Sequence, residues 1–508
     1  MTGLINDSLR SIISRAVRIL GLIASGVLML RLPGFRCNQK RLKEKYGITP
    51  ETPVTHWIQT TASELFAMTS GSTGEAKKIP YTKRRLRALK LTFSDMFVRA
   101  CYAYRIKRTS LYVFSSFEKD ESLTSLLLSE SELPNYLSTL QAPYRVQHHP
   151  AIHALVARYG PAAVRLWVLA ISNPSVLYST NPSTISTFLD SLVNDWQRST
   201  KLIRDWIDNR ATFSADLYKI ARRLESRGYE QRLEQIATSK VSLPLSVCAP
   251  AVEAYICWTG GYVKPFLDRL AVHLPASRYK LIPMYSMSTE TIETLPCFHS
   301  ENVEFLPFAR GVVYEFIEEN ALDHADNLLD PYQLEPGKLY AMVVSDAYGL
   351  RRYQTDDLFL CRRRINGLPD LVFVRRRGLQ YSFTGEKLTA EQLTSVFEQL
   401  CALHSSIVAD RFLTCVPSQS GSLPHYKVLL IGTRPPAFES SNDLLAARCD
   451  ELLCEMNCEY RSKRASGRLG AIQVEHIEFR DFVATHRTWE TQFKLLPLHL
   501  DRINPVLI

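Results

Sequence analysis

Ten residues near the start constrain this chain more than any other stretch. Thr69-Ser70-Gly71-Ser72-Thr73-Gly74-Glu75-Ala76-Lys77-Lys78 holds two glycines, four hydroxyls and two lysines. A helical apolar spacing follows through Leu86, Leu89 and Phe93. Gly71 and Gly74 have no Cβ, so backbone N–H groups there approach a ligand closely. Hydroxyls add donors and a lysine adds a point charge, a combination that suits nucleotide phosphates. No Gly-Lys-Ser/Thr ends the loop, so it is not a Walker A sequence. Taken alone, a polar turn ahead of a helix explains it as well.

At 508 residues the chain exceeds one ordinary core, and two domains, or three, are expected. The net charge of +10 fits an anionic ligand. The basic groups Lys83-Arg84-Arg85, Arg362-Arg363-Arg364 and Arg375-Arg376-Arg377 are short and scattered, which argues against a nucleic-acid surface. The eleven cysteines form no paired Cys-x-x-Cys spacing. Cys449, Cys454 and Cys458 are spaced as positions on one helix, filling a core in a reducing cytosol. His148, His149 and His153 read as a surface or helix-start cluster rather than a metal site. The apolar run from Ile19 to Leu30 is shorter than the about 20 residues that a bilayer demands. No small-x-small cleavage site follows it. A core-packed or membrane-surface helix fits it, and membrane contact is the less favoured of the two.

Apolar spacings of three and four predict helices over 84–104, 121–141, 150–171 and 183–209. Strands are expected over Val241–Ala249, Ala254–Trp258, Leu281–Tyr285, Val303–Phe308, Val312–Ile317, Leu339–Ser345, Asp357–Arg363 and Leu371–Val374. A compact α+β unit follows from Lys387. It has helices over Ala390–Leu403 and Asn442–Glu459, and strands over Thr414–Val416, Lys427–Ile431 and Ile472–Phe479. The hinge is expected between Val374 and Lys387.

Three further clusters fall at expected strand ends, where open α/β sheets bind ligands. In Trp258-Thr259-Gly260-Gly261 the glycines would let backbone lie against a flat base, or simply make a tight turn. In Tyr285-Ser286-Met287-Ser288-Thr289-Glu290 the carboxylate beside hydroxyls would hold Mg²⁺ through oxygen, or cap a helix. In Arg352-Tyr353-Gln354-Thr355-Asp356-Asp357 an Asp beginning a strand would accept both hydroxyls of a ribose, or be solvated in a turn.

The ordered set resembles the acyl-adenylate-forming enzymes, and within them the auxin-responsive acyl acid amido synthetases (the Gretchen Hagen family). The likeness runs from about residue 67 to 498. It rests on Thr69 to Thr82, Asn173-Pro174-Ser175, Cys257 to Gly261, Thr289-Glu290, Tyr314-Glu315-Phe316, Gly349 to Leu358, Phe373 to Leu393, Asn457 to Leu469 and Gln492-Phe493-Lys494. The resemblance implies an α/β fold. Residues 1–376 would form a large N-terminal domain of β-sheets flanked by helices, binding ATP and the acyl group. Residues 377–508 would form a small, mobile α+β lid.

By the same resemblance a carboxylate attacks the α-phosphate of ATP, pyrophosphate leaves, and an amine displaces AMP from the acyl-AMP to give an amide. The cofactors implied are ATP and Mg²⁺, the substrates a small carboxylic acid and an amino acid, and the setting a cytoplasmic monomer. Ser70, Gly71, Ser72, Thr73 and Gly74 with Lys77 would hold the β- and γ-phosphates, with Lys78 the alternative cation. Gly260 and Gly261 would lie near adenine. Thr289 would face the α-phosphate, and Glu290 would bind Mg²⁺. Asp357 would grip the ribose with Arg376 assisting, and Lys387 and Lys494 would be the lid lysines. Asp356 stands where the family has Gly, and no arginine follows Lys494-Leu495-Leu496-Pro497, departures that favour a divergent substrate. Transfer to a thiol, or an inactive binding protein of the same fold, are the competing functions.

Overall fold

The computed structural model describes residues 2–56, 58, 65–68, 78–115, 117, 123, 126, 149–260, 264–284, 287–298, 303–322, 327–376, 380–404, 412–432, 439–478, 481–482 and 497–499. The chain divides into two compact units. One comprises Met1–Met68 and Ile79–Arg375, and the other carries Arg376–Ile508.

At the centre of the first unit lies a parallel sheet, β3 (Leu111–Val113), β4 (Val176–Tyr178), β5 (Ala254–Cys257) and β6 (Lys280–Pro283), in that spatial order. The pleat sends successive side chains to opposite faces. Val113, Val176, Ala254, Ile256 and Ile282 therefore join one core, while Tyr112, Leu177, Tyr255 and Cys257 join another. Both faces are buried, as a parallel sheet demands.

On the second face sit helices, chief among them Pro161–Ser172, which buries Trp167 against Trp206. On the first face lie helix α1 (Thr2–Arg31), helix α3 (Lys83–Ala103) and an antiparallel sheet; α2 (Phe35–Tyr46) follows α1 in sequence. That sheet is β12 (Leu368–Arg376), β11 (Tyr353–Ile365), β10 (Leu339–Ser345) and β9 (Val313–Glu318), in spatial order. Two-stranded pairs, β1 (Leu65–Met68) with β2 (Lys78–Tyr81) and β7 (Leu295–Phe298) with β8 (Val303–Leu306), complete the unit's strands among the described residues.

The second unit has a short ladder of β13 (Gln380–Tyr381) and β14 (Leu388–Thr389). A sheet of β15 (Phe412–Ser418), β16 (His425–Ile431) and β17 (Gln473–Ile477) is antiparallel across its first pair and parallel across its second. Helices Ala390–Leu403, Glu439–Met456 and Cys458–Ala465 accompany it.

Several expected elements are corrected. Val241–Ala249 is not a strand. Pro244 starts a single helical turn, Leu245–Cys248, because a short apolar run does not by itself distinguish the two states. The expected helix over 150–171 breaks at Gly160 (φ +84°), and Pro161 begins the next segment. The segment 183–209 becomes three helices, Pro182–Asn194, Trp196–Ser199 and Lys201–Asp208. Asn457 divides the last long helix, since its carboxamide caps a new one by accepting from the Tyr460 N–H at 2.9 Å. Cys458 thus lies on a different helix from Cys449 and Cys454. His149 caps the helix Pro150–Tyr159, its Nδ1 accepting from the Ala151 N–H at 3.1 Å. The N-terminal apolar run belongs to a 30-residue helix, so the expected shortfall in length is overturned: Ile12–Arg31 is long and apolar enough to cross a membrane. Most of the expected helix 121–141 lies outside the described residues.

Candidate active site

Glu290 stands at the tip of a narrow hairpin, not at a helix start. Met287 and Ile292 form an antiparallel bridge, and the Ser288 N–H donates to the Thr291 carbonyl at 3.1 Å. Four side chains hold this tip. Tyr81, at the end of β2, donates its hydroxyl to the Thr289 carbonyl. Arg85, in the first turn of α3, donates to the Glu290 carbonyl, and to the Pro80 carbonyl at 3.0 Å. From the sheet below, the Tyr353 hydroxyl donates to Glu290 Oε1 at 3.2 Å, and the Tyr314 hydroxyl to the Ile292 carbonyl at 2.8 Å. Tyr314 and Tyr353 both pair with Val344, so one row of the antiparallel sheet supports the hairpin at two points.

These donors are fixed by burial. The phenols of Tyr81 and Tyr314 are pushed well above their ordinary range, chiefly by burial, and stay protonated. Arg85 lies over the Tyr81 ring at 4.6 Å and 3.7 Å from Asp346 Oδ2. Asp346 is buried, which raises its carboxyl pKa against the opposing pull of Arg85 and of the Tyr348 and Leu350 N–H groups. Glu290 is thus a buried carboxylate with a preset backbone.

Asp357 was expected to begin a strand. It lies instead inside β11, at an irregularity. Ala341 pairs with Leu358 and Val343 with Gln354, so Met342 alone opposes Thr355, Asp356 and Asp357. The Thr355 hydroxyl donates to the Met342 carbonyl at 3.3 Å, and the Asp357 N–H to that hydroxyl at 3.4 Å. Bulges of this kind re-aim a side chain, and Asp357 is buried here.

Further along the same strand, Phe359 packs edge-on to Phe373 of β12, and Phe373 packs on Trp258 beyond β5, with ring centroids 5.9 and 5.2 Å apart. Gly260 lies against this stack. A Cβ there would sit 3.4 Å from Trp258 Nε1 and 3.5 Å from the Phe373 carbonyl oxygen. One strand therefore collects three clusters that the sequence scatters over a hundred positions: Glu290 through Tyr353, Asp357 directly, and the Gly260 turn through Phe359.

In the second unit Lys387 is half-buried, and its backbone is left-handed (φ +46°). Its neighbour Glu386 is fully buried and shapes the loop. Glu386 accepts from the Phe383 N–H at 2.7 Å, the Thr384 N–H at 2.8 Å and the Tyr426 hydroxyl at 2.6 Å. Asn457 donates to the Glu386 carbonyl at 2.8 Å. Burial and Glu386 hold the Tyr426 phenol protonated.

Lys78 is the exposed first residue of β2. Arg376 ends β12, and its side chain lies outside the described residues, as do Ser70, Gly71, Ser72, Thr73, Gly74, Lys77, Gly261 and Lys494. The sequence reading missed Arg85, Tyr353, Asp346 and Glu386 as supports. Arg85 carried one signal: it shares the apolar face of α3 with Leu86 and Leu89 rather than pointing outward with Arg84.

Among the described residues no three His, Cys, Asp or Glu side chains converge as a metal cage. That still fits Mg²⁺, which binds through one or two carboxylates plus substrate phosphates and water. Glu290 is the carboxylate that would serve.

A buried parallel sheet with the Gly260 turn and the Glu290 hairpin beyond the carboxyl ends of its strands defines an α/β fold of the kind that binds ligands at that edge. Residues 55–278 match the GH3 family N-terminal domain and residues 305–376 the GH3 family central domain, together more than half of the chain. The chain belongs to the GH3 family. It is similar to the probable indole-3-acetic acid-amido synthetase GH3.2 of Oryza sativa subsp. japonica, 26% identical over 30% of this chain and 26% of that protein. It is also similar to the indole-3-acetic acid-amido synthetase GH3.4 of Arabidopsis thaliana, 23% identical over 44% of this chain and 42% of that protein. The chain thus spans less than half the length of these two curated relatives. Among solved structures it is similar to the AtGH3.15 acyl acid amido synthetase in complex with 2,4-DB, with a TM-score of 0.49 and 16% identity over 92% of this chain and 84% of that one.

Proposed function

We propose that this protein activates a carboxylic acid with ATP as an acyl-AMP and passes the acyl group to an amine, an amino acid in the first instance. The observation that carries the reading is the gathering of Glu290, Asp357 and the Gly260 turn along β11. Membership of the family and the names of its amido synthetase members support it.

In this reading Gly260 and Gly261 give adenine a flat backbone surface beside the Trp258–Phe373 stack. Asp357 accepts the ribose hydroxyls, with Arg376 assisting. Thr289 orients the α-phosphate from a backbone that Tyr81 already fixes. Glu290 holds Mg²⁺, which neutralises phosphate charge when bound. Residues Ser70 to Gly74 with Lys77, or Lys78, hold the β- and γ-phosphates. Lys387 and Lys494 are the lysines of the second unit assigned to phosphate charge, a task suited to a point charge on a long side chain. Catalysis of such a phosphoryl substitution is chiefly positioning and charge stabilisation. A fixed backbone around Glu290 supplies the first.

The test is a pyrophosphate-release screen of carboxylic acids, with and without an amino-acid mixture. Release that needs both ATP and an acid, with AMP release accelerated by amino acids, is expected. AMP release driven by a thiol and indifferent to amines would replace the acceptor. Unchanged release in Glu290→Ala and Lys494→Ala would reject the assigned residues.

A further inference from the structure

Helix α1 is apolar on two opposite faces, and only one of them is used. The inner face buries Val17 and Leu28, with Leu32 just beyond. Gly21 marks its closest approach to α3: a Cβ there would lie 2.1 Å from the Val98 carbonyl oxygen and 2.7 Å from Tyr102 Cβ. Ser14 adds a polar clasp, its Oγ 3.2 Å from Thr109 Oγ1 and accepting from the Thr109 N–H at 3.1 Å. The helix is therefore part of the first unit's core.

The outer face carries Ile12, Ile19, Ile23 and Leu30, which are 64%, 59%, 56% and 81% exposed. Their spacings of seven, four and seven residues put them on one stripe, opposite Gly21 and Val17. Leu20, Leu22, Val27 and Met29 widen it and are also exposed. Contiguous apolar surface of this kind marks an interaction site. The charges beside it have one sign: from Ile12 to Arg31 the only ionisable residues are Arg15, Arg18 and Arg31. Arg15 and Arg18 are exposed and lie close together on one flank of the stripe.

We propose that this outer face seats the protein on an anionic lipid surface, with α1 lying in the plane of the headgroups. An apolar stripe edged by arginines is the pattern of an interfacial helix. The arginines choose lipid over a second copy of this chain. A self-facing contact would bring like charges together, whereas phosphate headgroups complement them. Crossing the bilayer is disfavoured by the Gly21 and Ser14 contacts, which a spanning helix would have to abandon. In-plane seating keeps them.

The experiment is cosedimentation of the full chain with vesicles. Expected is binding to phosphatidylcholine vesicles containing phosphatidylserine, with about tenfold less binding to phosphatidylcholine alone. Raising the salt from about 0.1 to about 1 M should weaken it, since the screening length falls from about 10 to about 3 Å. The variant Ile19→Asp/Ile23→Asp/Leu30→Asp should lose at least about tenfold in bound fraction with an unchanged melting temperature. Should it fold poorly, Leu30→Asp alone, at the most exposed position, should show the same direction. Arg15→Glu/Arg18→Glu should erase the preference for anionic vesicles. No binding to anionic vesicles, or equal binding by the aspartate variants, overturns the proposal. So does a lipid-free dimer that the aspartate substitutions dissolve, since the face would then be a contact between copies.

Discussion

Arg85→Met tests the claim that the Glu290 hairpin is held from outside. The substitution keeps an unbranched apolar stem over the Tyr81 ring and removes only the guanidinium. Arg85 is 4% exposed and donates to two carbonyls, those of Pro80 and Glu290, while facing Asp346. Loss of a charged donor leaves each buried carbonyl short by about 1–3 kcal/mol. Breaking a buried ion pair by removing one partner costs about 3–5 kcal/mol, much of it from the charge left behind. The two figures overlap, because Asp346 keeps the Tyr348 and Leu350 N–H groups at 2.7 and 3.1 Å. A net loss of about 3–5 kcal/mol in the first unit follows.

The loss should depend on pH in a definite direction. The Asp346 carboxyl is already raised above its ordinary range by burial. A raised carboxyl pKa means the folded chain holds that proton more tightly than the unfolded chain. Its contribution to stability is therefore fullest below the ordinary carboxyl range and is lost as pH rises through the raised value. Removing Arg85 raises it further. The destabilisation should be largest at neutral pH and shrink as the pH falls through the raised value toward the ordinary carboxyl range, where Asp346 takes up a proton and needs no cation. Chemical denaturation of wild type and variant across that range measures it, with hydrogen exchange over Ser288–Ile292 reporting the hairpin locally. Arg85→Met/Asp346→Asn should lose less than the sum of the single variants, because they share a partner. A loss under about 1 kcal/mol, or one that does not vary with pH, would falsify the argument that this pair presets Glu290.

Three other outcomes are expected. Glu386→Ala leaves the Phe383 and Thr384 N–H groups and the Tyr426 hydroxyl without their acceptor, so the second unit should lose about 3 kcal/mol or more, read from its unfolding midpoint. Glu386→Gln should recover part of that. Gly260→Ala should fold normally, because its Cβ would make ordinary contacts at 3.4 and 3.5 Å, whereas Gly260→Val should raise the KM for ATP by about tenfold or more in the pyrophosphate assay. Asp357→Asn should raise the same KM by about tenfold, corresponding to about 1.4 kcal/mol of lost ribose binding, with little change in melting temperature. An unchanged KM in both the Gly260 and Asp357 variants would remove the nucleotide from this strand.

What the sequence made legible follows the reach of its signals. Strand β10 is read at its observed bounds, Leu339–Ser345, because the run is short, apolar and carries Tyr340, Val343 and Val344, residues that favour strands. Helix Ala390–Leu403 is likewise observed at its expected bounds, and the structure closes it with a capping box of Thr389 and Gln392. The start of β11 was hidden. Arg352 to Asp357 is polar, and Arg352, Tyr353, Gln354, Thr355 and Asp357 are buried, with partners far away in sequence. Arg352, for example, pairs with Glu315 of β9 at 2.9 and 3.0 Å. Without those partners the stretch reads as a turn, and the strand was placed four residues late.

The same limit separates the candidate site into a visible and an invisible half. Glu290 and Asp357 are chemically conspicuous at expected strand ends, and the family resemblance brings them forward. What makes Glu290 a buried acid on a preset backbone rather than a surface acid is contact with Arg85 and Tyr353, 205 and 63 positions away. Neither is unusual by type, and Arg85 sits in one of the short, scattered basic groups. Periodicity reports which side of an element is apolar but not what covers it. That explains why the inner and outer faces of α1 look alike in sequence while one is welded to α3 and the other is bare. In the proposed function a conspicuous acid therefore depends on an inconspicuous clasp, and substitutions in the clasp should impair the acid without touching any atom that would meet substrate.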